Sequence, residues 1–380
     1  MKILLIGEYS RLHNSLKEGL QILGHHVIII ADGDHFKKFD VDFSIRPAFF
    51  SDNLLTRKLA GFCYKVFKID LIKLERAYRF YSFLPQLKNF DAVQLINSDA
   101  IETYPIFSKY LLKKIFSQNK KKILLVCGDE TPIIDFLLRD ELQYSILTPF
   151  LNNPNLKKEF QFPLKYTQKN YRSLFEFVLK NTSAIITSDL DYKIPMERTG
   201  FQTTLIPNPV NVEKTLFEPL EISEKIILFL GINTGSCIKK GTIYFENALE
   251  IISKKYPEQV EIIITRNIPY STYINIYNKA HILLDQVYGF DQGYNALEAM
   301  AKGKVVFTGA EAEFTEYYNL TERVAVNALP DVEYLVSEIS FLIENPQEII
   351  KIGKQAKAFI DKEHNYIKIA QKYLDIWNKN

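Results

Sequence analysis

The sequence predicts an α/β protein of two doubly wound, Rossmann-like domains facing each other across a cleft, with helices closing the C-terminus. Three observations predict it. Short, near-continuous apolar runs alternate with helical stretches; the alternation pauses at Pro207-Asn208-Pro209 and then resumes; and 380 residues suit two or three domains at about 100–200 residues each.

In the first half, residues 2–6 (KILLI), 26–30 (HVIII), 92–96 (AVQLI), 123–127 (ILLVC) and 184–187 (AIIT) read as parallel strands covered on both faces. Between the first two, residues 15–23 place Leu16, Leu20 and Leu23 on one helical face, and Gly24 suits the position just past the helix end. That is a βαβ unit. A strand at 203–206 precedes the proline-rich boundary, where helix and ladder are both disfavoured. Beyond it, residues 226–230, 260–264, 281–284 and 305–307 read as strands, with helices over 241–253, 270–280 and 294–302. After Asp331 the chain reads as helical, with Phe359, Ile360, Ile367, Ile369, Tyr373, Leu374 and Trp377 on apolar faces. The expected domains are 1–206, 207–360, and a C-terminal helix over 361–380 packing back on the first domain.

Composition narrows the function. Hydrophobic residues make up 47% and charged residues 24%, which excludes wholesale disorder. No apolar run approaches the about 18 residues of a membrane span, and residues 1–7 are too short for a signal-peptide core. Cys63, Cys127 and Cys237 are widely spaced, with no metal-type cluster, so a reducing, cytoplasmic setting and no metal site are expected. The net charge of +2 hides an asymmetry: residues 1–206 hold 29 Lys+Arg against 22 Asp+Glu (+7), the remainder 18 against 23 (−5). The first half is suited to an anionic partner. Nucleic acid is disfavoured, since no recognition motif is present.

Ligands bind at the carboxyl ends of strands in such sheets, so the loops after strands carry the candidate sites. The first, Gly7 to Leu12, lacks the GxGxxG pattern, which argues against an ordinary NAD- or FAD-dependent oxidoreductase. Gly7 and Ser10 read either as an anion-binding loop at a helix start or as a turn glycine with a capping serine. In 285–306 (DQVYGFDQGYNALEAMAKGKVV), Gly293 precedes a helix whose amides can meet a phosphate, and Glu298 one turn in either grips ribose hydroxyls or is one more solvated helix glutamate. In 230–242, Lys239 and Lys240 follow a strand and precede a helix, as a charge for a diphosphate or as a solvated turn.

These segments together resemble retaining glycosyltransferases of the GT-B fold, the nucleotide-sugar-dependent group 1 family of bacterial surface-glycan enzymes. The resemblance rests on the N-terminal glycine-loop unit, Ile206-Pro207-Asn208-Pro209-Val210, Lys240-Gly241-Thr242, and Leu297-Glu298-Ala299-Met300-Ala301 with Gly303, in the family's order. It implies that Lys240, helped by Lys239, binds the donor diphosphate, Glu298 the ribose, and the backbone of Gly293, Tyr294 and Asn295 the phosphate or sugar. Two positions depart from the family pattern. Phe290 stands where its first Glu is usual, with either Asp291 beside it or backbone groups as the replacement at the sugar, and Ser236-Cys237-Ile238-Lys239 lacks the usual Arg.

The resemblance further implies a retaining, hexosyltransferase-type activity without an obligatory metal or other cofactor. The donor is expected to be UDP- or GDP-linked, and the acceptor a glycan, lipid-linked or protein-linked. His13 and the loop holding Asp129 and Glu130 are candidates to orient the acceptor hydroxyl or act as base, with capping and turn roles as the alternative. Asn267 and Ile268 follow a strand where a nucleobase would lie, or make a plain strand-to-helix turn. Residues 57–83 interleave Lys and Arg with Phe and Tyr, and 109–122 add further lysines. Such helices suit an anionic membrane surface, peripheral at the inner face, or are core-facing helices with solvated lysines. Two other readings stand beside transfer: a nucleotide-sugar epimerase on the same scaffold, and a non-catalytic nucleotide-sugar-binding module.

Overall fold

The computed structural model describes residues 1–34, 38–215, 217, 219–222 and 224–379. Two parallel sheets organise them. The first has the order β3-β2-β1-β4-β5-β6-β7, with β1 Lys2–Ile6, β2 His26–Ala31, β3 Phe43–Ser44, β4 Ala92–Leu95, β5 Lys121–Val126, β6 Ala184–Thr187 and β7 Thr204–Leu205. The second runs β12-β11-β10-β8-β9, with β8 Ile226–Ile232, β9 Val260–Arg266, β10 Ile282–Leu284, β11 Val305–Thr308 and β12 Val326–Asn327. The central strands are apolar because helices cover both faces: Ile3 to Ile6 and Leu228 to Leu230 are fully buried.

The helix Leu12–Ile22 ends as its sequence predicts. Gly24 takes a left-handed φ of 83°, and the His25 and Gly24 amides donate to the Leu20 and Gln21 carbonyls. Gly19 on the same helix is required by a close approach: a Cβ there would lie 2.4 Å from the Tyr366 carbonyl oxygen. That contact belongs to the C-terminal helix Tyr366–Lys379, which seats Ile369, Tyr373, Leu374 and Trp377 in the first domain's core.

The chain therefore crosses between the domains twice. At 208–210 and 364–366 the two crossings pair: Val210 N donates to His364 O at 2.7 Å, and Tyr366 N to Val210 O at 3.1 Å. The buried His364 ring holds the Asn208 carbonyl at 2.9 Å.

Three details differ from the sequence reading. Residues 57–83 form two helices, Leu54–Phe67 and Leu71–Phe83, because Lys68 adopts a left-handed φ of 58° and Asp70 caps the second through the Ile72 and Lys73 amides. The lysine-rich helix is Pro105–Gln118; Lys121 and Lys122 belong to β5, and Lys121 Nζ is held by the Trp377 carbonyl at 2.6 Å. Lys240 ends a one-turn helix, Cys237–Lys240, rather than starting the long one, because Gly241 (φ 64°) breaks the two apart. Among the described residues no helix is long and apolar enough to cross a membrane.

Candidate functional site

The carboxyl ends of the two sheets face each other. The contact is intimate: Ile238 and Tyr294 of the second domain pack against the first domain's core, and the Tyr294 hydroxyl donates to the Pro209 carbonyl. Between them lies a cavity of about 140 Å³, lined among others by Asp129, Asp189, Tyr192, Gln286, Tyr288 and Gly293.

The second domain supplies the cationic and amide side. Asp285 directly follows β10 with its side chain only 2% exposed, and a carboxylate so buried needs a partner. Lys240 Nζ supplies it at 2.7 Å, Asn295 Nδ2 adds a donor to the same oxygen at 3.1 Å, and the other oxygen has no partner. Asn295 is oriented in turn by the Tyr273 hydroxyl at 2.8 Å. The Lys240 ammonium is thus fixed in direction while its side chain stays 35% exposed. Beside it, Gly293 caps the helix Tyr294–Ala301 without a side chain to occupy the first amides, and the space where its Cβ would stand is open. A helix start and a held ammonium converge there.

Glu298 lies half-buried on that helix, one turn after Tyr294, whose phenol feels its charge. Asn267, at a left-handed φ of 48°, ties two loops together: its Nδ2 donates to Thr234 Oγ1 at 2.7 Å and its Oδ1 accepts from Thr234 N at 3.1 Å. Ile268 follows it, half-buried. Lys239 is half-buried near the first domain, where its charge reaches Asp129.

Asp291 does not face this cluster. Its carboxylate accepts from Leu190 N, at the start of the helix Leu190–Arg198 in the first domain, at 3.1 Å. Asp191 on that helix reciprocates, accepting from Phe290 N at 2.9 Å and Asp291 N at 3.2 Å. Asp189 caps the same helix through Tyr192 N at 3.3 Å. Burial pushes all three carboxyls up, Asp191 to about 7 and Asp291 to about 6. The arrangement latches the domains together and engages the Asp291 carboxylate with the Leu190 and Gln292 amides. Phe290 is likewise structural, with its ring 5.7 Å from that of Tyr144.

The first domain presents a different surface from the one expected. Ser10 N donates to Asp34 at 2.8 Å, and Asn14 N and Nδ2 donate to Glu8 at 2.8 and 2.7 Å. The Ser10 amide that would have turned to a phosphate is taken by the Asp34 carboxylate, and the Gly7 amide by the Ile30 carbonyl at 2.9 Å. A Cβ on Gly7 (φ 86°) would sit 2.2 Å from Ile96 Cγ2, so this glycine serves backbone packing. His13 is fully buried; its Nδ1 meets the Gly7 carbonyl at 2.7 Å and its Nε2 meets Gln94 Nε2 at 3.2 Å, and burial lowers its pKa to about 4. It offers no nitrogen to the cleft. Gln94 also accepts from Trp377 Nε1 at 3.2 Å, linking the C-terminal helix to the first loop.

Glu130 is committed too: its carboxylate accepts from Ser98 N and Oγ at 2.5 and 2.6 Å and holds the loop after β4. Asp129 alone of the four candidate catalytic residues in this domain and the next lines the cavity together with the helix start at Gly293. Its pKa is raised by burial, against the opposing charges of Lys239 and Lys165.

Sequence reasoning passed over Glu8, Asp191 and the pairing role of Asp285. Glu8 is 2% exposed, its Oε1 has no hydrogen-bond partner, and burial pushes its pKa up to about 8. Asp285 was legible as an acid ending a strand; Asp189 and Asp191 were legible as a cap and a first-turn acid. Their cross-domain partners were not, because nothing local in sequence brings residues 190 and 291 together.

Comparison with known proteins fits this geometry. Residues 239–375 match the family model described as Glycosyl transferase-like. No curated protein sequence matches the chain. Among solved structures, Anabaena HepE in complex with UDP and glucose aligns over all of both chains at 12% identity and a TM-score of 0.59. Sucrose-phosphate synthase from Thermosynechococcus elongatus aligns over 100% of this chain and 98% of its own at 14% identity and 0.58. UDP-GlcNAc 2-epimerase from Neisseria meningitidis, bound to UDP-GlcNAc, aligns over all of both chains at 13% and 0.53. The chain thus has the two-domain GT-B fold, and its segment 239–375, which carries Lys239, Lys240, Gly293, Asn295 and Glu298, is glycosyl transferase-like in sequence.

Proposed function

We propose that this protein is a glycosyltransferase that moves a sugar from a UDP- or GDP-linked donor to a glycan, lipid-linked or protein-linked acceptor with retention of configuration. The observation that carries the reading is the Lys240–Asp285–Asn295 cluster set beside the helix start at Gly293. Breaking the bond to the anomeric carbon leaves a nucleoside diphosphate with growing negative charge. Lys240, the nearby Lys239 and the 294–296 amides meet that charge without moving, and each such donor is worth a few kcal/mol at the transition state. Asp285 keeps the ammonium aimed, so little ordering is needed when the donor arrives. Glu298 grips the ribose, and the 267–268 turn borders the base. In the front-face picture the departing phosphate oxygen takes the acceptor proton, so no protein nucleophile is required; Asp129, across the cavity, orients the acceptor hydroxyl.

The test is a panel of UDP-, GDP-, ADP- and CMP-sugars scored by thermal stabilisation, since a ligand that binds only the native state raises its melting temperature. A uridine or guanosine diphosphate sugar is expected to do so, and a panel without response removes the reading. Glu298→Gln is expected to weaken donor affinity about tenfold with little change in kcat, because one charge-assisted bond is lost from ground and transition state alike. Unchanged affinity removes the ribose role.

A second reading, nucleotide-sugar epimerisation, is favoured by the epimerase structure that shares the fold over its whole length. Conversion of the nucleotide sugar without any acceptor separates it from transfer.

A further inference from the structure

The helix Leu54–Phe67 differs from the other long helices of the first domain: of its residues only Ala60 is buried. Leu55, Leu59, Phe62 and Val66 repeat at helical spacing along one stripe and are 75, 51, 57 and 53% exposed. An amphipathic helix normally hides such a stripe, as Tyr366–Lys379 does with Ile369, Tyr373 and Trp377. Phe67 at its end, Tyr78 on the adjoining helix Leu71–Phe83 and Ile106 on Pro105–Gln118 are exposed as well. Patches of this kind mark a surface that is covered in use.

The charges on this helix and in the turn after it, residues 54–69, are of one sign. Residues 54–69 contain Arg57, Lys58, Lys65 and Lys68 and no Asp or Glu, and all four cations are exposed. A second copy of the chain, packed symmetrically on this face, would bring those cations against their own kind with no carboxylate in the segment to pair them. An anionic bilayer complements both features, because the apolar stripe enters the acyl boundary while lysine and arginine reach the headgroups.

The surface also stands in a definite relation to the cleft. Beneath it, Arg76 of the helix Leu71–Phe83 pairs with Asp32 at 2.7 Å and with Glu102 at 2.9 Å, and Glu102 accepts from the Tyr9 hydroxyl at 3.1 Å. Tyr9 belongs to the loop after β1. Glu75 of the same helix accepts from the Phe49 and Phe50 amides, both at 3.0 Å, and bonds Arg79 at 2.7 Å. The exposed helix therefore rides on a platform braced directly to the first-domain rim of the cleft.

We propose that this face, centred on Leu55, Leu59, Phe62 and Val66 with Arg57, Lys58, Lys65 and Lys68, docks the protein on an anionic lipid bilayer and presents the cleft to an acceptor carried by that bilayer. The acceptor half of this statement rests on the transferase reading; the docking half stands on the surface alone.

The test is co-sedimentation of the whole protein with vesicles of phosphatidylglycerol and phosphatidylcholine, against vesicles of phosphatidylcholine alone. Binding to the anionic vesicles is expected. Leu59→Glu/Phe62→Glu is expected to weaken it by at least about tenfold, and Arg57→Ser/Lys58→Ser/Lys65→Ser by a similar factor. All these side chains are exposed, so melting temperature and donor-induced stabilisation should be retained, which separates failure of docking from failure of the transferase reading. Absence of binding to anionic vesicles overturns the proposal, as does binding that neither variant reduces. A dimer in solution that Leu59→Glu/Phe62→Glu dissolves, without vesicle binding, assigns the face to a second copy instead and overturns it equally.

Discussion

Lys240→Ala is expected to lower kcat for sugar transfer by about 10²–10³-fold, the usual loss when one preorganised donor is withdrawn from a developing charge. The same change leaves Asp285 without its cation. That carboxylate is buried, one of its oxygens already lacks a partner, and Asn295 alone remains to it. Stability should therefore fall as well, by about 1–3 kcal/mol. The two effects separate in the double variant Lys240→Ala/Asp285→Asn: removing the orphaned charge is expected to recover the melting temperature while turnover stays low. Recovery of turnover along with stability would mean that Lys240 only holds the fold, and wild-type turnover in the single variant would remove the phosphate role altogether.

The second large effect is expected from Glu8→Gln. The folded carboxyl is held up at about 8, against an ordinary value near 4.5, because burial penalises its ionised form. The native state thus keeps the proton that the unfolded chain has released. Its contribution is greatest below about pH 4.5 and is lost as pH rises towards 8, by about 5 kcal/mol in all. Glutamine imitates the protonated acid: its carbonyl can still accept from Asn14 N and Nδ2, and it cannot ionise. Unfolding measured from pH 5 to 8 should show the variant gaining steadily on the parent as pH rises. Asp191 and Asp291, raised to about 7 and about 6, leave a residual slope of the same sign in both proteins. His13 and His364, both lowered to about 4, act oppositely as pH falls below 6.5, so only the difference at each pH is diagnostic. Parallel curves would show that Glu8 is not held neutral.

Much of this architecture was legible because parallel strands announce themselves. Residues 2–6 and 184–187 were read to the residue, and the Pro207-Asn208-Pro209 segment lies beside the hydrogen bonds that join Val210 to His364 and Tyr366. Gly293 before a helix of good formers was legible for the same reason: its signal is local. What was not legible was long-range. His13 looked like a base, and became a link between Gly7 and Gln94 only once β4 was placed beside β1. Asp291 looked like a sugar ligand, and became half of a latch only with residues 190 and 191 opposite it. Glu130 was lost to Ser98 in the same way. A carboxylate's role depends on what buries it, and burial is set by the other domain. The helix Leu54–Phe67 was legible as basic and aromatic; that its apolar stripe stays uncovered is a fact of packing.

The most direct measurement is a crystal structure of the protein grown with a UDP-sugar. The diphosphate is expected against the Gly293 helix start, within hydrogen-bonding distance of Lys240 Nζ and the 294–296 amides, with ribose hydroxyls at Glu298. A fully occupied nucleotide elsewhere, or a cleft left empty with Lys240 still facing Asp285 alone, would contradict it.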